Sequence, residues 1–379
     1  MLGRIYWPGQ RAVTPPLLIP LANLYYLLCY AWNILPVRGV ASAARVAEEG
    51  PGAGSLLTHL LVMGLAQRAR RGVPAAFTAV DAIGPHPRGR LLPGRLARQP
   101  TAAARGHLPS RYAALTLDTP LNRLIVTALR RVLRADLSPA PLLPRPLRHG
   151  VRAALAPLAG VPTLGRPGPA EVAAAAQTLP LTDATAHLVL RAAELLVFNL
   201  LPTTQNAPDE SAARFRFYDF QADDAQMGRL FEAFVRNFLR REQRAAAVSS
   251  EVLRWRGATA TMPAALPLLP MMRTDITLTT PERRLVIETK YYARPLAGSR
   301  YADERLLAAH LYQLLAYLRN QPVVPGQRVE GLLLYPASAA STDLRLDYQL
   351  EGYRVQVRTL NLAAPWPQIR QSLLALVAD

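Results

Sequence analysis

Two short segments, 273–279 (RTDITLT) and 284–291 (RLVIETKY), alternate apolar and polar residues on either side of T-P-E-R at 280–283, and this pattern constrains the fold more than any other. Pro281 suits the second position of a tight turn, so the two segments read as a β-hairpin. With the turn centred between Pro281 and Glu282, cross-strand partners have residue numbers that sum to 563. Asp275 then faces Glu288, Ile276 faces Ile287 and Leu278 faces Leu285. Because side chains alternate faces, the four aliphatics line the core side, while Asp275, Glu288 and Lys290 project from the other.

Two carboxylates directly opposite one another have Cβ atoms ~4.5–5.5 Å apart and repel unless something neutralises them. A divalent cation does so, and oxygen ligands of this kind suit Mg²⁺ or Mn²⁺. Lys290 strengthens the reading. Of 44 basic side chains it is the single Lys, the other 43 being Arg. Arg carries a wide planar fork and Lys a compact point charge, so a site that keeps Lys against such a bias needs the small ammonium. There it can hold an attacking water or stabilise charge on a phosphate.

The net charge of +18 points to a polyanionic partner. Residues 1–200 hold 22 basic and 8 acidic groups, hence +14, whereas residues 201–379 hold 22 and 18, hence +4. Cys29 is the one cysteine, which excludes an internal disulfide framework and a Cys-based zinc site and fits the reducing cytoplasm. The uncharged run Leu17 to Leu35 is long enough to raise a membrane helix or an export signal. Pro20, Asn23, Asn33 and three tyrosines inside it favour a packed helix of a soluble domain instead.

Along the first half, helices are predicted over 55–70, from Asp118-Thr119-Pro120 through Leu133, and over 183–201. Residues 71–112 read as loops with a small irregular β region, and 138–170, with eight prolines, as an extended connector. The polar stretch 202–215 is the predicted linker. After it the pattern becomes helix, strand, strand, helix, strand, strand, helix, an α/β or α+β domain. Met227, Leu230, Phe231, Phe234, Val235, Phe238 and Leu239 define an amphipathic helix over 225–241, with Glu232 at the edge of its apolar stripe.

Asp275 followed by Glu288-Thr289-Lys290 on the second strand of a hairpin resembles the PD-(D/E)XK nucleases, with Thr274 in place of the usual Pro. The resemblance implies Asp275 and Glu288 as metal ligands with the Thr289 carbonyl, Glu232 as the helical acid, and Lys290 as a catalytic residue. Gln313 and Tyr317, four apart on one helical face, are similar to the Q-x-x-x-Y helix of the RecB-like branch. N-L-Y-Y-L-L-C-Y-A-W at 23–32, R-G-R-L at 88–91, D-T-P-L-N-R at 118–123, F-E-A-F-V at 231–235, T-D-I-T-L at 274–278, E-T-K-Y-Y at 288–292 and G-L-L-L-Y-P at 331–336 together resemble the McrC family.

That family supplies the nuclease subunit of McrBC-type modification-dependent restriction systems. The resemblance implies a partner-docking domain over 1–205, mixed helical with a small β region, and a nuclease domain over 206–379 with a central mixed sheet flanked by helices. It also implies an AAA+ GTPase hexamer, McrB, that recognises methylated DNA and is stimulated by the docked N-terminal part. The chain has no G-x-x-x-x-G-K-[ST] loop, so nucleotide hydrolysis falls to a partner. The six His form no H-x-x-x-H pair and there is no G-x-S-x-G, which excludes zinc and serine-hydrolase sites of those kinds. Two other readings stay open at this point: a stand-alone RecB-like repair nuclease, and a non-catalytic basic scaffold that binds nucleic acid.

Overall fold

The uncharged run near the start of the chain forms α1 (Leu21–Ala31). The computed structural model describes residues 19–33, 52–70, 72, 75–98, 101, 104–135, 143–202, 215–292, 296–299, 302–322, 324–337 and 343–378. No helix among them is long and apolar enough to cross a membrane. The polar residues of α1 are used in packing. Asn23 donates from Nδ2 to the carbonyls of Leu362 and Ala364, at 2.8 Å each, and the Tyr30 hydroxyl donates to Glu242 Oε1 at 2.8 Å. Tyr26 stacks on Trp366 with ring centroids 4.2 Å apart.

The chain forms two compact units, one of residues 49–218 and one that joins residues 1–48 to 219–379. This differs from a single division at 205/206. Leu24, Leu27 and Leu28 of α1 are buried, and the surface that buries them belongs to the C-terminal part of the chain. Residues 203–214, most of the expected linker, lie outside the described residues.

In the 49–218 unit, α2 (Ala53–Ala69) leads to a three-stranded antiparallel sheet of β1 (Ala76–Gly84), β2 (Arg90–Leu91) and β3 (Leu108–Thr116), in the order β1-β3-β2. The β region is thus more regular than its Gly and Pro content suggests. Gly89 of R-G-R-L has φ +69°, and a Cβ there would run into the Arg111 carbonyl oxygen, so only glycine fits the turn into β2. Next, α3 (Pro120–Leu133) starts as its sequence predicts, with Thr119 Oγ1 accepting from the Asn122 amide at 3.2 Å and Pro120 in the first turn.

The proline-rich stretch is not an extended connector. It contains α4 (Arg145–Leu155) and the start of α5 (Pro169–Gln177), with prolines in the first turn of each, where the missing N–H costs nothing. Residues 136–142 are outside the described set. Finally α6 (Ala184–Asn199) packs on α2 and α3, and β4 (Leu200–Pro202) pairs with β5 (Phe215–Phe217).

The second unit begins its continuous part with α7 (Asp224–Glu242), whose buried face holds Met227, Phe231, Phe234, Val235, Phe238 and Leu239. The strands that follow are β6 (Ala247–Ser249), β7 (Val252–Leu253), β8 (Met272–Arg273), β9 (Ile276–Thr279), β10 (Arg283–Thr289), β11 (Leu296–Ser299) and β12 (Ala302–Leu306). After these come α8 (Ala308–Arg319), β13 (Arg328–Ala337), β14 (Arg345–Leu350), β15 (Tyr353–Asn361) and α9 (Trp366–Ala378).

Six strands form a mixed sheet in the order β14-β15-β13-β10-β9-β6, with β10, β13 and β15 parallel and the rest antiparallel. The hairpin register is the predicted one: Ile276 pairs with Ile287 and Leu278 with Leu285. The first strand is shorter than 273–279, because Thr274 leaves the ladder to accept the Glu251 amide on its hydroxyl at 2.9 Å. Parallel β10 and β13 require a crossover, and α8 provides it. It packs over Val286, Leu333, Tyr335, Val355 and Val357 through Leu314, Tyr317 and Leu318. Gly331 of β13 makes this approach possible, since a Cβ there would lie 2.9 Å from Leu318 Cδ1 and 3.0 Å from Leu314 Cδ2. All seven residues of β10 are buried, as expected of a central strand covered on both faces.

Candidate active site

Glu288 shares the face of Val286 on β10, so it lies beneath α8 and is 2% exposed. Asp275, on the connection between β8 and β9, is held against the same strand end. Its Oδ2 accepts from both the Thr289 amide, at 2.8 Å, and the Thr289 hydroxyl, at 2.7 Å. Lys290 reaches back over the strand, donating to Glu288 Oε1 at 2.8 Å and to Gln313 Oε1 of α8 at 2.7 Å. Gln313 in turn donates from Nε2 to the Tyr317 hydroxyl at 2.8 Å. Asp275, Glu288, Thr289, Lys290, Gln313 and Tyr317 are therefore brought together. Glu232 is held apart from this chain of bonds. It is paired with Arg236, one helical turn on, and Arg236 Nη1 also donates to the Asp275 backbone oxygen at 3.5 Å.

The electrostatics follow from burial of two acids side by side. Glu288 is pushed up to about 7, first by burial and then by the charge of Asp275, with Lys290 pulling the other way. Burial also raises Asp275, against the two hydrogen bonds from Thr289, and Glu232 adds to the rise. Oε2 of Glu288 is buried and has no hydrogen-bond partner. Among the described residues, no group of three His, Cys, Asp or Glu is arranged to hold a metal ion. The donor set here is two carboxylates plus backbone oxygen.

Two residues near the site were not singled out by sequence. His310 is buried on α8, 2.8 Å from the Tyr335 hydroxyl through Nδ1, and burial and the charge of Lys290 hold its pKa down to about 4. Arg236 ties Glu232 to the Asp275 backbone. His310 stands three residues before Gln313 on the same helical face, which was the available signal; Arg236 on a charged helix surface gave none.

The raised Glu288 carboxyl has a consequence for stability. Between its folded value of about 7 and the ordinary 4.5, the folded chain holds a proton that the unfolded chain has released. Stability in EDTA therefore falls as pH rises through this window and stays low above it. Glu288→Gln cannot ionise. It is expected to be more stable than the parent at pH 8, by on the order of 3 kcal/mol, and level with it near pH 4. Melting curves in EDTA at the two pH values check this; equal midpoints at both would refute it.

A family model for the McrBC 5-methylcytosine restriction system component matches residues 22–149 and 225–336. The chain belongs to this family. The second matched segment contains every residue of the site, from Glu232 to Tyr317. Among curated McrBC proteins, the Type IV methyl-directed restriction enzyme EcoKMcrBC of Escherichia coli K12 is 28% identical over 361 residues, covering 94% of this chain and 96% of that one. Among solved structures, a half-complex from a tetradecameric assembly of Thermococcus gammatolerans McrB AAA+ hexamers with bound McrC matches with a TM-score of 0.51 at 16% identity. That match covers 94% of this chain and 76% of the matched chain. This likeness extends the McrC-like fold over most of the chain.

Proposed function

We propose that this chain is the DNA-cutting subunit of an McrBC-type restriction complex. It is an endodeoxyribonuclease of the PD-(D/E)XK type, dependent on Mg²⁺ or Mn²⁺, that acts in the cytoplasm with an McrB-like AAA+ GTPase hexamer which it stimulates. The observation that carries the reading is the buried, partnerless Oε2 of Glu288 beside Asp275, with the chain's one lysine bonded to the other oxygen of the same carboxylate. Two adjacent acids, the buried Glu288 with an unsatisfied oxygen and the half-buried Asp275, fit a hard divalent cation. Asp275 and Glu288 would hold it with the Thr289 carbonyl, and Glu232 would approach through a water or a second ion. When bound, such an ion neutralises phosphate charge and acidifies a water.

The chain's own residues do the rest. Thr289 fixes the Asp275 carboxylate with two bonds to one oxygen. Gln313 accepts from Lys290 on one end of its amide and donates to Tyr317 from the other, so the ammonium has a defined place. From there it can orient the attacking water and offset charge that develops on the phosphate. The relatives support the partnership: the E. coli protein is named a methyl-directed restriction enzyme, and the T. gammatolerans McrC is bound to McrB AAA+ hexamers. The absence of a P-loop and the net charge of +18 agree with a GTPase partner and with DNA. Calorimetric titration of the full chain with MnCl₂ is expected to give saturable heat that Asp275→Ala removes. Absence of heat from the parent would exclude the metal site.

A further inference from the structure

Residues 254–271 leave the sheet unit between β7 and β8 and present Trp255, Met262, Leu266, Leu268, Leu269 and Met271 to solvent, Leu268 being 83% and Met271 81% exposed. The loop is nevertheless firmly held. Its neck is closed by the pairing of Val252 with Arg273 and Leu253 with Met272. Trp255 Nε1 donates to the Pro270 carbonyl at 2.8 Å across the base. Arg256 anchors it to the end of α8, its amide donating to Asn320 Oδ1 at 2.7 Å and its Nη1 to the Gln321 carbonyl at 3.0 Å. A loop fixed at its base with its large apolar side chains in water marks an interaction surface.

Its charge indicates the partner. From Val252 to Thr274 the only charged residues are Arg254, Arg256 and Arg273, with no acid. Exposed apolar side chains beside basic ones, with no acid between, suit a polyanion with an apolar interior, which is duplex DNA: cations meet phosphates, and Leu or Met side chains enter between base steps. Placement agrees. Met271, at the base of the loop, precedes Asp275 by four residues, at most roughly 13 Å of extended chain, so a wedge there lies about one helical half-turn of DNA or less from the carboxylates.

We infer that the 254–271 loop is a DNA wedge that unstacks base pairs beside the phosphodiester to be cut, with Leu268 and Met271 as the inserting side chains and Arg254 on the backbone. This rests on the nuclease reading and adds to it a contact that distorts the substrate. The test uses the full chain and a short fluorescein-labelled duplex carrying 2-aminopurine. A Leu268→Ser, Met271→Ser double variant is expected to bind at least about tenfold more weakly and to lose the rise in 2-aminopurine fluorescence, with the salt slope unchanged. Arg254→Ser is expected instead to lower that slope by about one.

Unchanged affinity and fluorescence in the double variant would overturn the wedge. So would intact DNA binding with loss of self-association in sedimentation, or with loss of GTPase stimulation, since either assigns the loop to a protein partner. Neither binding nor fluorescence needs cleavage. A parent chain that cuts DNA with the partner GTPase and Mg²⁺ while the double variant binds normally therefore sinks the wedge alone, and a parent that never cuts under those conditions sinks the nuclease reading.

Discussion

DNA cleavage, measured with the partner GTPase and Mg²⁺ present, is expected to disappear in Asp275→Ala and in Glu288→Ala, to below about a thousandth of the parent rate. Each change removes one of the two acids held at the end of β10. The fold should survive, because β10 keeps its pairing with β9 and β13 and the variants relieve repulsion between two neighbouring acids. Asp275→Ala frees the Thr289 amide and hydroxyl, a loss confined to the strand end. Circular dichroism separates loss of chemistry from loss of structure. A folded variant that cuts at the parent rate would remove that carboxylate from the mechanism.

Lys290→Arg is expected to be almost as inactive as Lys290→Ala, by roughly 10²–10³-fold in single-turnover cleavage, with affinity for Mn²⁺ little changed. The ammonium is confined between Glu288 Oε1 at 2.8 Å and Gln313 Oε1 at 2.7 Å. A guanidinium is longer and wider, and from this position it must displace Gln313, and with it the bond to Tyr317, or push into the space before the carboxylates. Retention of more than about a third of parent activity by the Arg variant would show that positive charge alone suffices, and that the single lysine is an accident of composition.

The parts of this protein legible in its sequence are those fixed by local periodicity. The hairpin around Pro281 paired in the register its alternation required, and the apolar spacing from Met227 to Leu239 became the buried face of α7. Thr119 and Pro120 marked a helix start through chemistry that acts within one turn. What was not legible depends on distance along the chain or on where a breaker sits. Prolines at 144 and 146 are counted as disruptive in a run, yet at the start of α4 they are compatible with a helix. The partner of α1 could not be read, since its buried leucines say only that they need a cover. At the site, the acids and lysine were found by residue type. The two donors from Thr289 were not, because a threonine at that position is equally at home in any strand.

The bonds from Asn23 to Leu362 and Ala364 join residues separated by 339 and 341 positions. At roughly 5–20 residues per second, a ribosome makes the acceptors about 20–70 s after the donor. For the first part of that interval α1 lacks its main cover, α7, and until the end of it the sheet beside Asp275 and Glu288 lacks its last parallel strand, β15. A chain interrupted between residues 318 and 352 therefore holds every residue of the candidate site but not the closed scaffold around it. Joining residues near 23 to residues near 362 in one unit makes synthesis of both segments a condition for closing the scaffold around Asp275 and Glu288.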